Sequence, residues 1–154
     1  MEAEPFDGEQ LDALGARIDG WLEELADGYD HIAAVGRSDD GERRWFVRML
    51  GEEKDITTAW LLLRQRTLGY ETYVMPAPEE NVEELYAQLL RRNDGLVGAH
   101  FSIGAEDAVF LRGAVPAVLV DLDALDHLLG TLYAQVEQCF RSLLSVGFAS
   151  RLGR

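Results

Sequence analysis

The chain of 154 residues is long enough for one domain with a substantial core, since 47% of its residues are hydrophobic and 27% are charged. Its formal net charge is −14, and residues 1–55 alone carry 16 acidic and six basic side chains. A field of this sign repels phosphate backbones, so the composition disfavours a general nucleic-acid binder and is typical of an acidic soluble surface.

Three further features of the sequence predict a cytoplasmic protein. No apolar run approaches the ~18 residues that a membrane span needs, so no membrane partner is expected. The N-terminus "MEAEPFDGEQ" lacks the positive charge of a secretory signal. Cys139 is the single cysteine, which excludes an internal disulfide and fits a reducing compartment. It lies on an apolar helical stripe and is predicted to be a buried structural thiol.

The first predicted element is an amphipathic helix from Glu9 to Asp27, with Gly28 as its stop. Its apolar side chains recur at intervals of three and four residues, at Leu11, Leu14, Ile18, Trp21, Leu22 and Leu25. Such a stripe has to pack against another element, and the residues that follow predict a sheet.

Three β-strands are predicted next, and the short connections between them favour an antiparallel meander. The segment "ERRWFVRML" places Trp45, Val47 and Met49 on one face, and "GEEKD" forms the turn after it. The segment "TTAWLLLRQRT" is apolar on both faces at its centre, as a central strand would be, and "LGYETYVM" alternates again. The stretch "DHIAAVGR" can add a short strand before these three.

A middle helix is predicted after Pro76 and Pro78, which end the third strand because proline lacks the amide that a ladder needs. Glutamates lie near the positive end of this helix, and Arg91 and Arg92 lie near its negative end, before a stop at Gly95. Its predicted buried stripe consists of Val82, Leu85, Leu89 and Leu90.

Two further strands, "LVGAHFSIG" and "DAVFLRG", are predicted around a turn at residues 104–107. In the first of them Val97, Phe101 and Ile103 are expected to share one face. The segment "AVPAVLV" is expected to be extended, with Pro116 making it an edge strand or the lead-in to a helix that Asp121 caps.

The last helix carries a broad apolar stripe that can serve the core and a partner surface together. Its members are Leu122, Leu125, Leu129, Leu132, Val136, Cys139 and Leu143, widened by Leu128, Tyr133, Phe140 and Leu144. The predicted order is α-β-β-β-α-β-β-α, an α+β domain in which an antiparallel sheet carries an N-terminal, a middle and a long C-terminal helix. Residues 1–154 are predicted to form this single domain, with flexible ends at 1–8 and 151–154.

Catalytic and metal-binding motifs are not found in the sequence, and no cofactor is predicted. His31, His100 and His127 lie far apart, and none belongs to an HExxH or Cys/His cluster. Ser102 has His100 and Asp107 nearby but lacks the GxSxG elbow of a hydrolase. The glycines of "GLVGAHFSIG" match neither GxGxxG nor GxxxxGK[ST].

One group of residues on the predicted second and third strands suggests an interface. Arg64, Arg66, Tyr70 and Tyr73 are expected on adjacent strands, and arginine and tyrosine are enriched at protein interfaces. Together with part of the last helical stripe they form the predicted dimer or client interface. The helical members are Leu129, Leu132, Tyr133, Val136 and Phe140.

Four segments resemble the YbjN family, in the form found in actinobacteria. They are "WLLLRQRTLGYETYVMPAPEEN", "LYAQLLRRND", "GAHFSIGAEDAVFLRG" and "LDHLLGTLYAQVEQCFR", which follow in the same order between Arg44 and Arg151. A composition of one lysine beside thirteen arginines suits this resemblance.

The resemblance implies the fold of type III secretion chaperones, which are small acidic α+β homodimers without enzymatic activity that bind extended client segments. YbjN itself is linked to stress responses and motility in enteric bacteria, and the family supplies no accepted catalytic or ligand residues. We therefore expect a non-enzymatic, chaperone-like or regulatory domain that binds protein and acts as a homodimer. Two alternatives stay open, namely a small-molecule-binding domain or minor enzyme with a pocket near His100, Glu71 and the arginines, and a structural subunit of a larger assembly.

Overall fold

A six-stranded antiparallel sheet organises the chain, and three helices cover one of its faces; the computed structural model describes residues 4–152. The helices are α1 (Gly8–Gly28), α2 (Val82–Asp94) and α3 (Leu122–Gly147). The strands are β1 (Ile32–Arg37), β2 (Arg44–Leu50), β3 (Ile56–Leu63), β4 (Thr67–Met75), β5 (His100–Ile103) and β6 (Val109–Pro116). Their order in the sheet is β1-β2-β3-β4-β6-β5, so β1 and β5 are the two edges.

The predicted α+β fold is confirmed, with its three helices at the predicted places in the chain. The stretch "DHIAAVGR" does supply a strand, β1, so the sheet opens with a four-stranded meander. The segment "AVPAVLV" is not a separate strand, because its first residues extend β6 along β4 as far as Pro116, opposite Thr67. The remaining residues form a short 3-10 turn, Ala117–Leu119. None of the helices within residues 4–152 has the length and hydrophobicity that a bilayer span requires.

Specific contacts hold those parts of the two expected flexible ends that lie within residues 4–152. The side chain of Asp7 accepts from the N–H of Gln10 at 2.8 Å, and the Gln10 side chain accepts from the N–H of Asp7 at 2.9 Å. This capping box starts α1. The N–H of Phe6 donates to the β3–β4 connection, and Arg151 pairs with Glu79 at 2.7 Å. Residues 1–3 and 153–154 lie outside the described residues.

The core lies between the sheet and the three helices. Trp45, Val47 and Met49 alternate down β2 and are almost fully buried, as predicted. Seven members of the α3 stripe are buried against the sheet, namely Leu125, Leu128, Leu129, Leu132, Val136, Cys139 and Leu143. Burial raises the pKa of the Cys139 thiol to about 11, so the thiol stays protonated and poorly nucleophilic at neutral pH.

The buried stripe predicted for α2 is wrong at two of its four positions. Leu85 and Leu89 are buried, whereas Val82 is 40% exposed and Leu90 is 70% exposed. Residues 89 and 90 are about 100° apart around a helix, so they face the same neighbour only where that neighbour is broad. Here α2 lies against α3 and the four-residue strand β5, and this narrow support leaves Leu90 in solvent.

Helix α3 also holds the turn between β2 and β3 through residues spaced four apart. The hydroxyl of Tyr133 donates to the carbonyl of Leu50 at 2.9 Å, and Arg141 forms an ion pair with Glu53. Between these two contacts lies Glu137. The spacing of four places all three side chains on one side of the helix, which therefore sets the position of the turn.

The carboxylate of Glu137 accepts hydrogen bonds from three consecutive backbone N–H groups. The donors are Glu52 at 2.7 Å, Glu53 at 3.2 Å and Lys54 at 3.1 Å. A side chain on Gly51 would collide with this carboxylate, which explains the glycine at the start of the turn. Burial opposes the charged form, but the three N–H groups outweigh it, so the pKa of Glu137 is lowered.

Asn93 of α2 pairs with the backbone of the edge strand β5. Its Nδ2 donates to the carbonyl of Phe101 at 3.1 Å, and its Oδ1 accepts from the N–H of Phe101 at 2.6 Å. One side-chain amide thus replaces the two hydrogen bonds that a further strand would make at this residue. Consequently only part of this sheet edge is open to another strand.

We expect Glu137→Gln to lower the free energy of unfolding by about 1–2 kcal/mol at neutral pH, because a charged acceptor of three N–H groups is lost. The lowered pKa means that the carboxylate stabilises the fold above the unfolded-state pKa and that this contribution fades as the pH falls below about 4.5. Urea unfolding of both proteins at several pH values measures the difference. Glu23→Gln, at an exposed carboxylate of α1, is the control and should change little. A difference that persists unchanged into strong acid would contradict the assignment.

We expect Asn93→Ala to destabilise the protein by about 1–3 kcal/mol, because the Phe101 N–H and C=O lose their partner. Urea unfolding gives the stability, and hydrogen exchange should show faster exchange at the Phe101 amide. Asp94→Ala removes the exposed neighbouring side chain and serves as the matched control. Equal behaviour of the two variants would show that the side-chain amide does not hold β5.

Candidate protein-binding surface

A shallow, mainly apolar groove of about 320 Å³ lies between α2 and the edge strand β5. We call its lining the α2–β5 surface, which consists of Tyr86, Leu89, Leu90, Asn93, Phe101, Ser102 and Ile103. Leu90 is 70% exposed and Ile103 is 50% exposed. Exposed apolar side chains that lie together are a feature of protein-, membrane- and ligand-binding surfaces.

Local structure explains why these two apolar side chains stay in solvent. Leu85 and Leu89 fill the buried side of α2, which turns the next residue, Leu90, outwards. Phe101 and Ile103 project from the same face of β5, but Phe101 is buried while Ile103 stands at the end of the strand. The sequence predicted the shared face of these two residues correctly and missed the exposure of the second.

Charged side chains flank the α2–β5 surface at both ends of the helix. Glu83 and Glu84 lie in the first turn of α2, and Arg91 and Arg92 lie in the last turn. The acidic side chains and the basic side chains both lie where they oppose the helix dipole. This interaction stabilises α2 without any binding partner. Arg92 also donates to the hydroxyl of Ser142 at 3.3 Å, which ties the end of α2 to α3.

The structure does not bring together the four predicted interface residues of the β3–β4 region. Arg64 and Arg66 lie in the connection between the two strands, not within them, and both are exposed. Tyr70 faces the core at 7% exposure and donates to the carbonyl of Gly98 at 2.5 Å. Tyr73 projects from the opposite face and is 44% exposed. Neighbouring strand positions alternate in direction, so a common surface for both tyrosines is excluded within one chain.

The predicted helical members of the interface divide into buried and half-buried residues. Leu129, Leu132 and Val136 are buried beneath the sheet, so their side chains serve the core of the single chain. Tyr133 and Phe140 are half-buried beside the β2–β3 turn. The interface role of the strand and helix residues stays a prediction, whereas the exposed apolar groove lies elsewhere, on α2 and β5.

The single lysine of the chain, Lys54, is half-buried at the end of the β2–β3 turn. Its Nζ donates to the carbonyl of Tyr73 at 2.6 Å and lies 5.3 Å from the centre of that ring. The ring of Phe140 is at 5.6 Å on α3. Burial lowers the pKa of this ammonium group. Sequence reasoning missed this contact because it joins a turn, a strand and a distant helix.

Two further concave regions lie at or near histidine residues. An open groove of about 740 Å³ between the α2–β5 connection and α3 is lined by Val97, Asp123 and His127 among others. Val97 is 85% exposed in that connection and does not belong to β5, so its predicted place on the strand face is wrong. The alternative reading expected a pocket near His100, Glu71 and the arginines. A depression of about 280 Å³ is lined by residues that include Arg44, Glu71 and Arg112, and His100 lies opposite Arg112 on the neighbouring strand.

No group of three or more His, Cys, Asp or Glu side chains within residues 4–152 is placed to hold a metal ion. The hydroxyl of Ser102 accepts a hydrogen bond from Nη1 of Arg112 at 3.2 Å.

The fold is similar to those of chains in several solved complexes of two proteins, one of which belongs to a type III secretion system. A chain of the ExsC–ExsE complex has a TM-score of 0.57 and 20% identity, and the match covers 84% of this chain and 96% of that one. A chain of the heterodimeric ExoU–SpcU complex of the Pseudomonas aeruginosa type III secretion system has a TM-score of 0.56 and 16% identity, covering 82% and 96%. A chain of the HopA1–SchA chaperone–effector complex has a TM-score of 0.57 and 11% identity, covering 83% and 95%. At these identities the likeness concerns the fold, and the predicted type III secretion chaperone-like architecture is confirmed.

Curated relatives occur in mycobacteria, and their functions are not characterised. The uncharacterised protein ML2442 of Mycobacterium leprae is 33% identical over 113 residues, which is 73% of this chain and 61% of that protein. The uncharacterised protein Rv0487 of Mycobacterium tuberculosis is 32% identical over 108 residues, or 70% and 59%. The chain thus spans about three fifths of the length of these curated relatives. Residues 14–145 match the YbjN family, described as "Putative bacterial sensory transduction regulator", and the chain belongs to that family.

Proposed function

We propose that the protein is a non-enzymatic binding module that dimerises through the α2–β5 surface and binds a segment of a client protein. The observation that carries this proposal is the pair of apolar side chains, Leu90 and Ile103, that stand in solvent on either side of one groove. Burial of such a groove against a second chain removes apolar surface from water without unfolding either partner. The proposed place of action is the cytoplasm, and the proposed role is chaperone-like or regulatory.

A second copy of the chain fits the α2–β5 surface because the charges of α2 are complementary to themselves. In a dimer with a two-fold axis between the two α2 helices, the helices run antiparallel. This arrangement places Glu83 and Glu84 of one copy near Arg91 of the other. Isologous interfaces require this kind of self-complementarity. A surface flanked by one sign of charge would instead favour a different partner of the opposite sign.

Packing of side chains fits this interface better than pairing of strand edges. Asn93 already occupies the backbone groups of Phe101 on the outer edge of β5. The strand is four residues long, so a paired β5 would gain few further hydrogen bonds. Apolar contact through α2 is therefore the proposed mode of association.

Binding of a client protein is supported by the family and by the fold. The similar folds were determined within complexes of two proteins, and one of them is a chaperone–effector complex. In this chain the α3 stripe is largely covered by its own sheet, so a client has to use another surface.

The proposed dimer predicts that charges placed in the groove will abolish self-association. We expect the wild-type chain to elute with the mass of a dimer in light scattering, and the double variant with Leu90→Asp and Ile103→Asp to elute as a monomer. The reason is that two carboxylates would be buried without partners in the interface. Val118→Asp introduces the same charge at a side chain that is 58% exposed and outside the groove, so this control should remain dimeric.

Thermal unfolding of the three proteins at low concentration checks that the variants fold. A wild-type chain that is monomeric at high concentration would overturn the proposed dimer. If the double variant and the control formed dimers of equal stability, the dimer interface would have to lie on another surface.

A further inference from the structure

The face of the sheet that points away from the helices is covered by no helix in the described chain, and we call it the open face. Its side chains come from the strand positions that alternate with the core, such as Phe46 on β2, Trp60 on β3 and Tyr73 on β4. Trp60 is 37% exposed and Tyr73 is 44% exposed. A face left to water only would be expected to carry polar residues at these positions.

Aromatic rings form two pairs on the open face. Phe46 and Trp60 are directly opposite each other on β2 and β3, with ring centroids 6.0 Å apart. Tyr73 and Phe110 are opposite each other on β4 and β6, with centroids 5.6 Å apart in an edge-to-face arrangement. Gly36 on β1 lies directly beneath the Phe46 ring, where a Cβ would crowd it at 3.0 Å. The pairs therefore form two rigid apolar platforms on one surface.

Positive charge is concentrated on the same face, although the chain as a whole is strongly acidic. Arg44, Arg48 and Arg112 project from its strands, and the only carboxylate that does so within residues 4–152 is Glu71. Glu71 pairs with Arg112 at 2.8 Å, and Arg44 lies 3.3 Å from Asp40 of the preceding loop. The remaining cation, Arg48, is exposed and lies over the Phe46 ring at 5.6 Å.

A depression of about 280 Å³ lies near the middle of the open face. Arg44 and Arg112 line it from two sides, Trp60 forms a wall, and Gly69 leaves room because it has no side chain. Glu71 also lines the depression and already pairs with Arg112, so a carboxylate-bearing side chain of a partner fits beside Arg44, whose guanidinium group can bind it through paired hydrogen bonds.

We propose that the open face binds an extended acidic segment of a partner protein, with its carboxylates on Arg44 and Arg48 and its apolar side chains on Trp60 and Tyr73. This inference rests on the proposed client-binding function and assigns to it a surface and a class of client. Six strands at their usual spacing span about 24 Å, which is the reach of roughly seven extended residues. The α2–β5 surface is left for the second copy of the chain.

Charge decides between this client and a single-stranded nucleic acid, which also uses aromatic rings and arginines. A nucleic acid brings one negative charge per nucleotide, and the net charge of −14 on the chain would repel a long polyanion. A short peptide places a few carboxylates on the arginines and apolar groups on the rings, so it pairs with the local charge and meets less long-range repulsion than a polyanion.

A library of random peptides of about twelve residues, displayed on phage and selected on the immobilised wild-type chain, tests this proposal. The length exceeds the roughly seven residues that span the face. We expect selected peptides to be rich in Asp and Glu with interspersed apolar residues, and to bind more weakly as salt is raised. One selected peptide is then synthesised, labelled and titrated by fluorescence anisotropy.

Arg48→Glu and Trp60→Ala should each weaken binding of this peptide by about tenfold or more, because a charge contact is reversed or a ring platform is lost. The matched control is Arg17→Glu on the exposed side of α1, which should stay within about twofold of wild type. Arg48 is exposed, so its variant is expected to fold even if Trp60→Ala does not. The absence of any selected peptide, selection of basic peptides, or equal effects of Arg48→Glu and Arg17→Glu would overturn the inference. Tighter binding of oligothymidylate of the same length would also overturn it, in favour of nucleic acid.

The same titration on the double variant with Leu90→Asp and Ile103→Asp separates this inference from the proposed dimer. Unchanged peptide affinity in a monomeric variant supports a site contained in one chain. A chain that dimerises as proposed but selects no acidic peptide overturns the open-face site alone.

Discussion

The apolar stripe of α3 packs on the centre of the sheet, where Leu132, Val136 and Cys139 are fully buried, and α1 and α2 bury their stripes on the same face. This one-sided packing is the constraint on which the other features depend. It encloses most of the apolar surface of the described residues, and it leaves the opposite face of the sheet without a covering helix within residues 4–152. The two candidate interaction surfaces are the parts of the molecule that this arrangement does not cover.

The β2–β3 turn and the edge strand β5 are held in place by side chains of α3 and α2. Glu137 holds three N–H groups of the β2–β3 turn, and Asn93 holds the backbone of β5. Glu137 reaches backbone groups more than eighty positions away in the sequence, whereas Asn93 reaches a residue eight positions ahead. Such contacts fix the register and position of short strands that would be marginal alone.

Periodicity in the sequence predicted the elements and the class of fold well, because helical and strand patterns are local. It failed at Leu90, because the spacing of apolar residues shows which side of a helix is apolar but not how wide the elements that cover that side are. Tyr70 and Tyr73 illustrate the same limit, because they were grouped by residue type although their spacing places them on opposite faces. The contacts of Glu137 and Lys54 could not be predicted from the sequence, as they join residues more than eighty or nearly twenty positions apart. The α2–β5 surface had a signal in its apolar residues, which were assigned to the core.

The sheltered position of Lys54 has a chemical consequence for the rest of the surface. All other side-chain cations apart from three histidines are arginines, whose guanidinium groups remain charged at any physiological pH. Enzymes that acetylate amines therefore find a single lysine side chain in this chain, half-covered by two aromatic rings. The arginines of the sheet therefore keep their positive charge in mild alkali, and acetylation of lysine does not remove it.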